Sequence, residues 1–201
     1  MNFNMDKQLI ICIGREYGSG GHEIGEKLAK KLDLPLYDRN LLDEVAATKN
    51  VDVNEISAYD EKPRNFLFSR TVRGYNNSPE QNVAEMQFAL LKSKAADGDS
   101  FVIVGRCSDE LFEGLAPYLS IFIHGDEEAR IERIMKVRNL DRKKAKQAIE
   151  RHDRKRRQYH NNFCQKKWGE SKSYHLCINS SRIGIDACVD LLADYISKLN
   201  K

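Results

Sequence analysis

No apolar run in this chain approaches the roughly 20 residues needed to cross a membrane as a helix. Met1 to Lys7 lacks the apolar core of a signal peptide, so the expected compartment is the cytoplasm. Cysteines are few and scattered: Cys12, Cys107, Cys164, Cys177 and Cys188 are odd in number, and none forms a C-x-x-C pair. That spacing indicates neither a disulfide framework nor a zinc site. Cys12, Cys177 and Cys188 fall inside apolar patterns and are expected in the core. Cys107 has no histidine beside it in sequence, which argues against a nucleophile there.

Charge is nearly balanced overall, at +3, but not locally. Arg130 to Arg157 holds 13 Lys and Arg against 4 Asp and Glu, so the rest of the chain is net acidic. An acidic body with a basic arm suits a polyanionic partner such as nucleotide phosphates. The arm also reads as a solvated helix face, or as a nucleic-acid surface with Tyr159, Phe163 and Trp168 stacking on bases. Those aromatics sit at the edge of the basic cluster rather than within it, which weakens the nucleic-acid reading. With 41% hydrophobic and 31% charged residues, a chain of 201 residues suits one globular domain.

Short apolar runs alternate with helix-period patterns along the chain. Leu9–Ile13, Pro35–Tyr37, Phe101–Val104, Leu119–Ile123 and Tyr174–Ile178 read as buried strands. Ile24, Leu28 and Leu32 share one face of a helix over Gly21–Leu32, and Leu41, Leu42 and Val45 begin another. Ser78-Pro79-Glu80-Gln81 is a helix start, with an N-cap serine and proline at the first position; Asp97-Gly98 ends that helix. Asp126 is placed to cap the helix that carries Ile131 and Ile134. Ile185, Val189, Leu192, Ile196 and Leu199 form the stripe of a closing helix. Residues 51–77 have weak periodicity, broken by Pro63 and Gly74, and read as an irregular excursion. The alternation predicts an α/β three-layer sandwich, a five-stranded parallel sheet with helices on both faces. Ligands on such sheets sit beyond the carboxyl ends of the strands, where Gly14–His22, Asp38-Arg39 and Gly105-Arg106 fall.

The first of these ends, Gly14-Arg15-Glu16-Tyr17-Gly18-Ser19-Gly20-Gly21-His22-Glu23, is a glycine loop between a strand and a helix N-terminus. Backbone N–H groups and the helix dipole can hold a phosphate there. The loop nearly spells G-x-x-x-x-G-K-[ST], but Gly21 stands in place of the lysine and His22 in place of the hydroxyl residue. A dinucleotide-binding reading of Gly18-Ser19-Gly20 with Asp38 is disfavoured, because Glu23 occupies the third glycine position.

Four segments in order, GREYGSGGHEIG, PLYDR, IVGR and ERHDRKRR, give the chain a resemblance to the cytidylate kinase-like branch of the P-loop nucleoside monophosphate kinases. NSSRIGID adds a weaker match. The resemblance implies transfer of the γ-phosphate of ATP, with Mg²⁺, to a nucleoside monophosphate, a CMP- or dCMP-like acceptor above all. It implies that Gly18, Ser19, Gly20, Gly21, His22 and Glu23 cradle the donor phosphates. Arg106 and Arg156 would meet the acceptor, with Asp38, Arg39 and Asp153 beside them. Arg151 and Arg154 would act on phosphates, and Arg15 or a lid arginine would take over from the missing lysine. Residues 51–77 would cover the acceptor and residues 137–168 would form a helical lid. Glu16, Glu23 or Asp38 could hold the metal directly or through water. Phosphoryl transfer asks mainly for positioning and cations, a task that planar arginines suit. The missing lysine and hydroxyl also support an alternative, a nucleotide-binding or sensing module that transfers nothing.

Overall fold

The computed structural model describes residues 7–38, 40–49, 52–60, 71–72, 75–76 and 78–199. Five parallel strands form its sheet: β1 (Ile10–Arg15), β2 (Leu36–Tyr37), β5 (Phe101–Val104), β6 (Tyr118–His124) and β7 (Leu176–Asn179), in the order β2-β5-β1-β6-β7. β3 (Thr71–Val72) and β4 (Tyr75–Asn76) pair separately as an antiparallel ribbon. β1 lies at the centre because it is apolar on both faces. Ile11 and Ile13 face α1 (Gly21–Leu32) and α9 (Ile185–Leu199), while Ile10 and Cys12 face α2 (Leu41–Lys49) and α4 (Pro79–Ala96). Both sets are fully buried, and each such aliphatic side chain stabilises the fold by about 1.5–3 kcal/mol. Cys12 and Cys188 are fully buried, whereas Cys177 is half-buried.

The expected strands and helices are present, with informative shifts at their ends. β1 runs two residues beyond Ile13, because Gly14 and Arg15 continue its pairing with Phe122 and Ile123 of β6. The glycine loop is therefore short, Glu16 to Gly20. β7 begins at Leu176 rather than Tyr174, since a 3-10 turn at Ser171–Ser173 delivers Tyr174 across Gly14 and against the Phe122 ring. Ser78 accepts from the Gln81 N–H as expected of a cap. Asp126 precedes α6 (Glu127–Arg138) without a side-chain capping bond; its carboxylate accepts from Asn179 at 2.8 Å and pairs with Arg182 at 3.1 Å. The excursion after α2 contributes α3 (Val53–Ser57) to a small core of Leu42, Val45, Ile56 and Val83. α5 (Ser108–Leu111) follows β5 directly. α7 (Arg142–Phe163) carries most of the basic arm and packs on α6 through Ile131, Ile134, Ala145 and Ile149. α8 (Ser180–Ile183) links β7 to α9. Among the described residues, no helix is long and apolar enough to cross a membrane.

Candidate phosphate loop and acceptor cavity

The glycine loop owes its shape to crowding from two directions. Gly18 and Gly20 have φ of +85° and +77°, a region that side chains disfavour. A Cβ at Gly20 would also lie 2.8 Å from Ile185 Cδ1, and one at Gly18 3.0 Å from the Arg130 carbonyl oxygen. Ser19 folds the loop on itself: its hydroxyl donates to the Glu16 carbonyl at 2.9 Å and accepts from the Gly21 N–H at 3.3 Å. Ser180 ties the loop to β7 by donating to the Ser19 carbonyl at 2.6 Å.

Arg15 explains why position 21 holds glycine. A Cβ at Gly21 would lie 2.5 Å from Arg15 Cβ, 3.2 Å from its Cγ and 3.3 Å from Ile123 Cβ. The arginine stem thus fills the space from which a lysine at 21 would have to grow. The same arginine lines both large cavities of this rim. One, of about 450 Å³, is bounded by the loop with Glu23, Glu26, Arg133 and Arg138. The other, of about 620 Å³, lies between the carboxyl ends of β2 and β5 and α7, and is lined by Asp38, Asp60, Arg106, His152 and Lys155. Tyr17, His22, Arg138 and Arg156 also border both.

Arg106 is presented by a strained turn. Gly105, Arg106 and Cys107 all have positive φ, and the two non-glycine residues cost about 1–2 kcal/mol each. The Arg106 side chain is only 2% exposed; its Nη2 donates to Asp60 at 2.9 Å and to the Asp38 carbonyl at 3.1 Å. Gln87 donates to the other Asp60 oxygen at 3.1 Å. Asp38 in turn meets His22 Nε2 at 2.5 Å, which joins the end of β2 to the start of α1. Glu26 stands 3.4 Å from the other His22 ring nitrogen.

Asp153 is placed differently from the acceptor role that the resemblance implies. It accepts from the Tyr17 N–H at 2.7 Å, and its other oxygen pairs with Arg130. Arg130 also donates to the Tyr17 carbonyl at 2.9 Å and pairs with Glu16 at 3.0 Å. Together these groups bolt α6 and α7 to the loop. Arg151 and Arg154 are exposed and lie outside the linings of both cavities. At 100° per residue, the face of α7 toward the second cavity carries His152, Arg156 and the exposed Lys155 instead, with Tyr159 buried one turn on. Arg156 donates to the Arg15 carbonyl at 3.3 Å and lies over the Tyr17 ring, which stacks on His152 at 4.1 Å. Burial, with help from Arg156, pushes the His152 imidazole below its ordinary range. Arg39 lies outside the described residues. Sequence reading missed Tyr17, Asp60, Arg130, Arg138 and His152; only the helical phase of α7 could have signalled one of them, His152. Two of the aromatics considered as base-stacking partners are committed to packing, Tyr159 against Ala84 and Cys107 and Trp168 edge-on to Phe122.

A hard cation needs oxygen donors with room for water. Glu23 and Glu26 border the loop cavity and remain partly exposed, but the two Glu23 oxygens already pair with Lys27 at 3.1 Å and Arg133 at 2.5 Å. The hydrogen bond from Arg133, with help from Lys27, holds the Glu23 carboxyl below its usual range. Glu16 is likewise engaged, one of its oxygens meeting Arg130 and the Gly125 N–H. Glu26 is the one carboxylate bordering the loop cavity without a lysine or arginine partner among the described residues, so a magnesium ion there would be held largely through water.

Among solved structures, an uncharacterized protein from Eubacterium ventriosum ATCC 27560 is 35% identical, with a TM-score of 0.74 over 94% of this chain and 98% of that one. The shikimate kinase of Bacteroides thetaiotaomicron is 14% identical, with a TM-score of 0.53 over 94% of this chain and 98% of its own. That of Acinetobacter baumannii, solved with shikimate, is 13% identical, with a TM-score of 0.51 over 96% of each chain. The last two likenesses establish the fold, that of the P-loop kinases. No curated protein matches the sequence. Residues 10–182 match a family that spans the loop, the strained turn and the basic helix, and the chain accordingly belongs to the cytidylate kinase-like family.

Proposed function

We propose that this protein transfers the γ-phosphate of ATP to a nucleoside monophosphate, with CMP or dCMP the favoured acceptor. The observation that carries the reading is Arg15, whose stem occupies the ground of the absent lysine and which borders both the loop cavity and the acceptor cavity. Its fixed positive charge, with that of Arg156, supplies cations between two phosphate sites, and positioning with charge neutralisation is most of what phosphoryl transfer requires. The loop and the N-terminus of α1 bind the donor phosphates through backbone N–H groups. Arg106, held by Asp60 at the floor of the second cavity, orients the acceptor. Arg138, Lys155 and Arg156 close the mouth from α6 and α7, keeping water from the reacting phosphate. Magnesium, carried with ATP and held near Glu26 largely through water, would neutralise phosphate charge.

A second reading, binding without transfer, draws on the same loop: Ser19 is engaged within it, and Gly21 provides no charge. A product assay with Mg²⁺, ATP and CMP, dCMP, UMP, AMP or GMP separates the two, with thermal shift run in parallel. CDP or dCDP formation that Arg15→Ala reduces by about 10²–10³ supports transfer through Arg15. Stabilisation by nucleotides without product points to the binding module. Neither product nor stabilisation rejects both.

A further inference from the structure

Behind the strained turn lies a group of side chains that phosphate transfer does not use. Cys107 caps the start of α5, and Cys164 ends α7, 57 residues later. The fold brings them together: Cys107 and Cys164 pack in one cluster with Ala84 and Tyr159, and both border a cavity of about 440 Å³ with Phe88, Lys92, Glu110 and Phe163. His160 and Asp109, both buried, stand beside Cys164, with one ligand atom of each of the three within 4.8 Å of the others; His160 Nε2 meets Asp109 at 2.7 Å and its Nδ1 faces Asn161 Oδ1 at 3.4 Å. The order carboxylate, imidazole, thiol is that of an activated sulfur. Burial alone would discharge the imidazole, but the Asp109 and Cys164 bonds outweigh it and raise its pKa to about 10. A protonated imidazole beside a thiol stabilises the thiolate, and Cys164 is shifted downward accordingly, first by its bond to Cys107.

The two elements are already held in register. Glu110 accepts from the N–H groups of Gln165 at 2.9 Å and Lys166 at 3.0 Å, and Glu113 pairs with Lys166 at 2.7 Å. We propose that Cys164 and Cys107 form a reversible disulfide in response to hydroperoxides, Cys164 attacking first and Cys107 resolving. The Cys164 thiolate attacks the terminal peroxide oxygen; the O–O bond breaks, the sulfenic acid forms, and the departing alkoxide or hydroxide takes the His160 imidazolium proton and leaves as alcohol or water. Cys107 sulfur then attacks the sulfenic sulfur, the S–S bond forms, and water leaves. Two thiols are oxidised and one hydroperoxide is reduced. The bond would cross-link the Gly105–Cys107 turn, and with it Arg106, to the end of α7. Bond formation is independent of the phosphotransfer reading; only its effect on acceptor binding rests on that reading.

Reduced full-length protein treated with hydrogen peroxide, then mapped by peptide mass spectrometry, tests this directly. The expected result is a Cys107–Cys164 linkage, reversed by dithiothreitol. In Cys107→Ser, Cys164 instead advances to sulfinic and sulfonic acids, and in Cys164→Ser the peroxide-dependent loss of thiols at this pair ceases. His160→Gln slows the oxidation about tenfold, the consequence of losing thiolate character at an unchanged distance. Oxidation first at Cys12, Cys177 or Cys188, or an equal rate in His160→Gln, overturns the proposal. So does zinc that co-purifies with the protein and protects both thiols. Nucleotide thermal shifts on the oxidised and reduced forms then read the coupling to Arg106 without bearing on whether the bond forms.

Discussion

Replacing Gly21 by alanine is the sharpest test of the loop's construction. In an ordinary helix that change stabilises by about 0.5–1 kcal/mol, since glycine loses more backbone freedom on folding. Here the new Cβ meets Arg15 Cβ at 2.5 Å, a distance that a flexible side-chain end could relieve but a strand-anchored Cβ cannot. Overpacking of this kind costs about 1–3 kcal/mol, so the net effect is a loss of roughly 1–2 kcal/mol. The cause is identified by a double-mutant cycle with Arg15→Gly, which removes the 2.5 Å and 3.2 Å contacts and leaves only Ile123 Cβ at 3.3 Å. In that background Gly21→Ala should cost little or nothing, a coupling of about 1–2 kcal/mol by urea unfolding. Gly21→Lys should lower phosphotransfer rather than restore it, because the lysine evicts the arginine that replaced it. An unchanged or raised stability for Gly21→Ala, or equal costs in both backgrounds, would refute this account of the loop.

Three further changes probe the surroundings. Arg106→Ala strips Asp60 of its buried partner and should cost about 3–5 kcal/mol in urea unfolding, part of it recovered in Arg106→Ala with Asp60→Asn; acceptor affinity should fall while ATP affinity stays nearly constant in thermal shift. Asp153→Asn should destabilise by about 1–3 kcal/mol and weaken ATP binding, through the loosened Tyr17 backbone; a normal ATP shift would dissociate the clamp from the loop. His160 is raised from 6.5 to about 10 on folding, so its contribution is fully present below pH 6.5 and is lost as pH rises toward 10. Melting temperature should therefore decline across that window, and His160→Gln should flatten the decline; parallel curves for the two proteins would contradict the assignment.

The sheet was legible because each strand is a short apolar run and each covering helix shows its period. The closing stripe is buried at Val189, Leu192 and Ile196 and half-buried at Ile185, and only Leu199 at its end is exposed. The site was legible only at its strand ends, where Gly14–His22, Asp38 and Arg106 converge as expected for an open parallel sheet. What escaped sequence reading depends on distance along the chain. Arg130 reads as one cation in a basic run, yet the Tyr17 carbonyl it donates to is 113 residues away, and its carboxylate partners Asp153 and Glu16 are 23 and 114 residues away. Asp60 sits in a segment with weak periodicity, and its value comes from Arg106, 46 residues on. β1 extends past the apolar run that Gly14 interrupts, because β6 continues to pair with Gly14 and Arg15. Arg151 and Arg154 stand out by composition, but the pitch of α7 turns them away.

The strand order also governs when the phosphate loop can exist during synthesis. β1 leaves the ribosome first, yet its neighbours in the sheet are β5 and β6; Leu9 and Ser100, which hydrogen-bond at one end of that pairing, are 91 residues apart. At about 5–20 residues per second, the nascent β1 waits roughly 5–20 s for its first sheet partner. Through that interval Leu9 to Ile13 is an unpaired apolar segment with both backbone edges open, the kind that nascent-chain chaperones shield. Arg15 can seat on Gly21 only once Ile123 has emerged, so a chain halted before β6 carries the loop's sequence without its architecture.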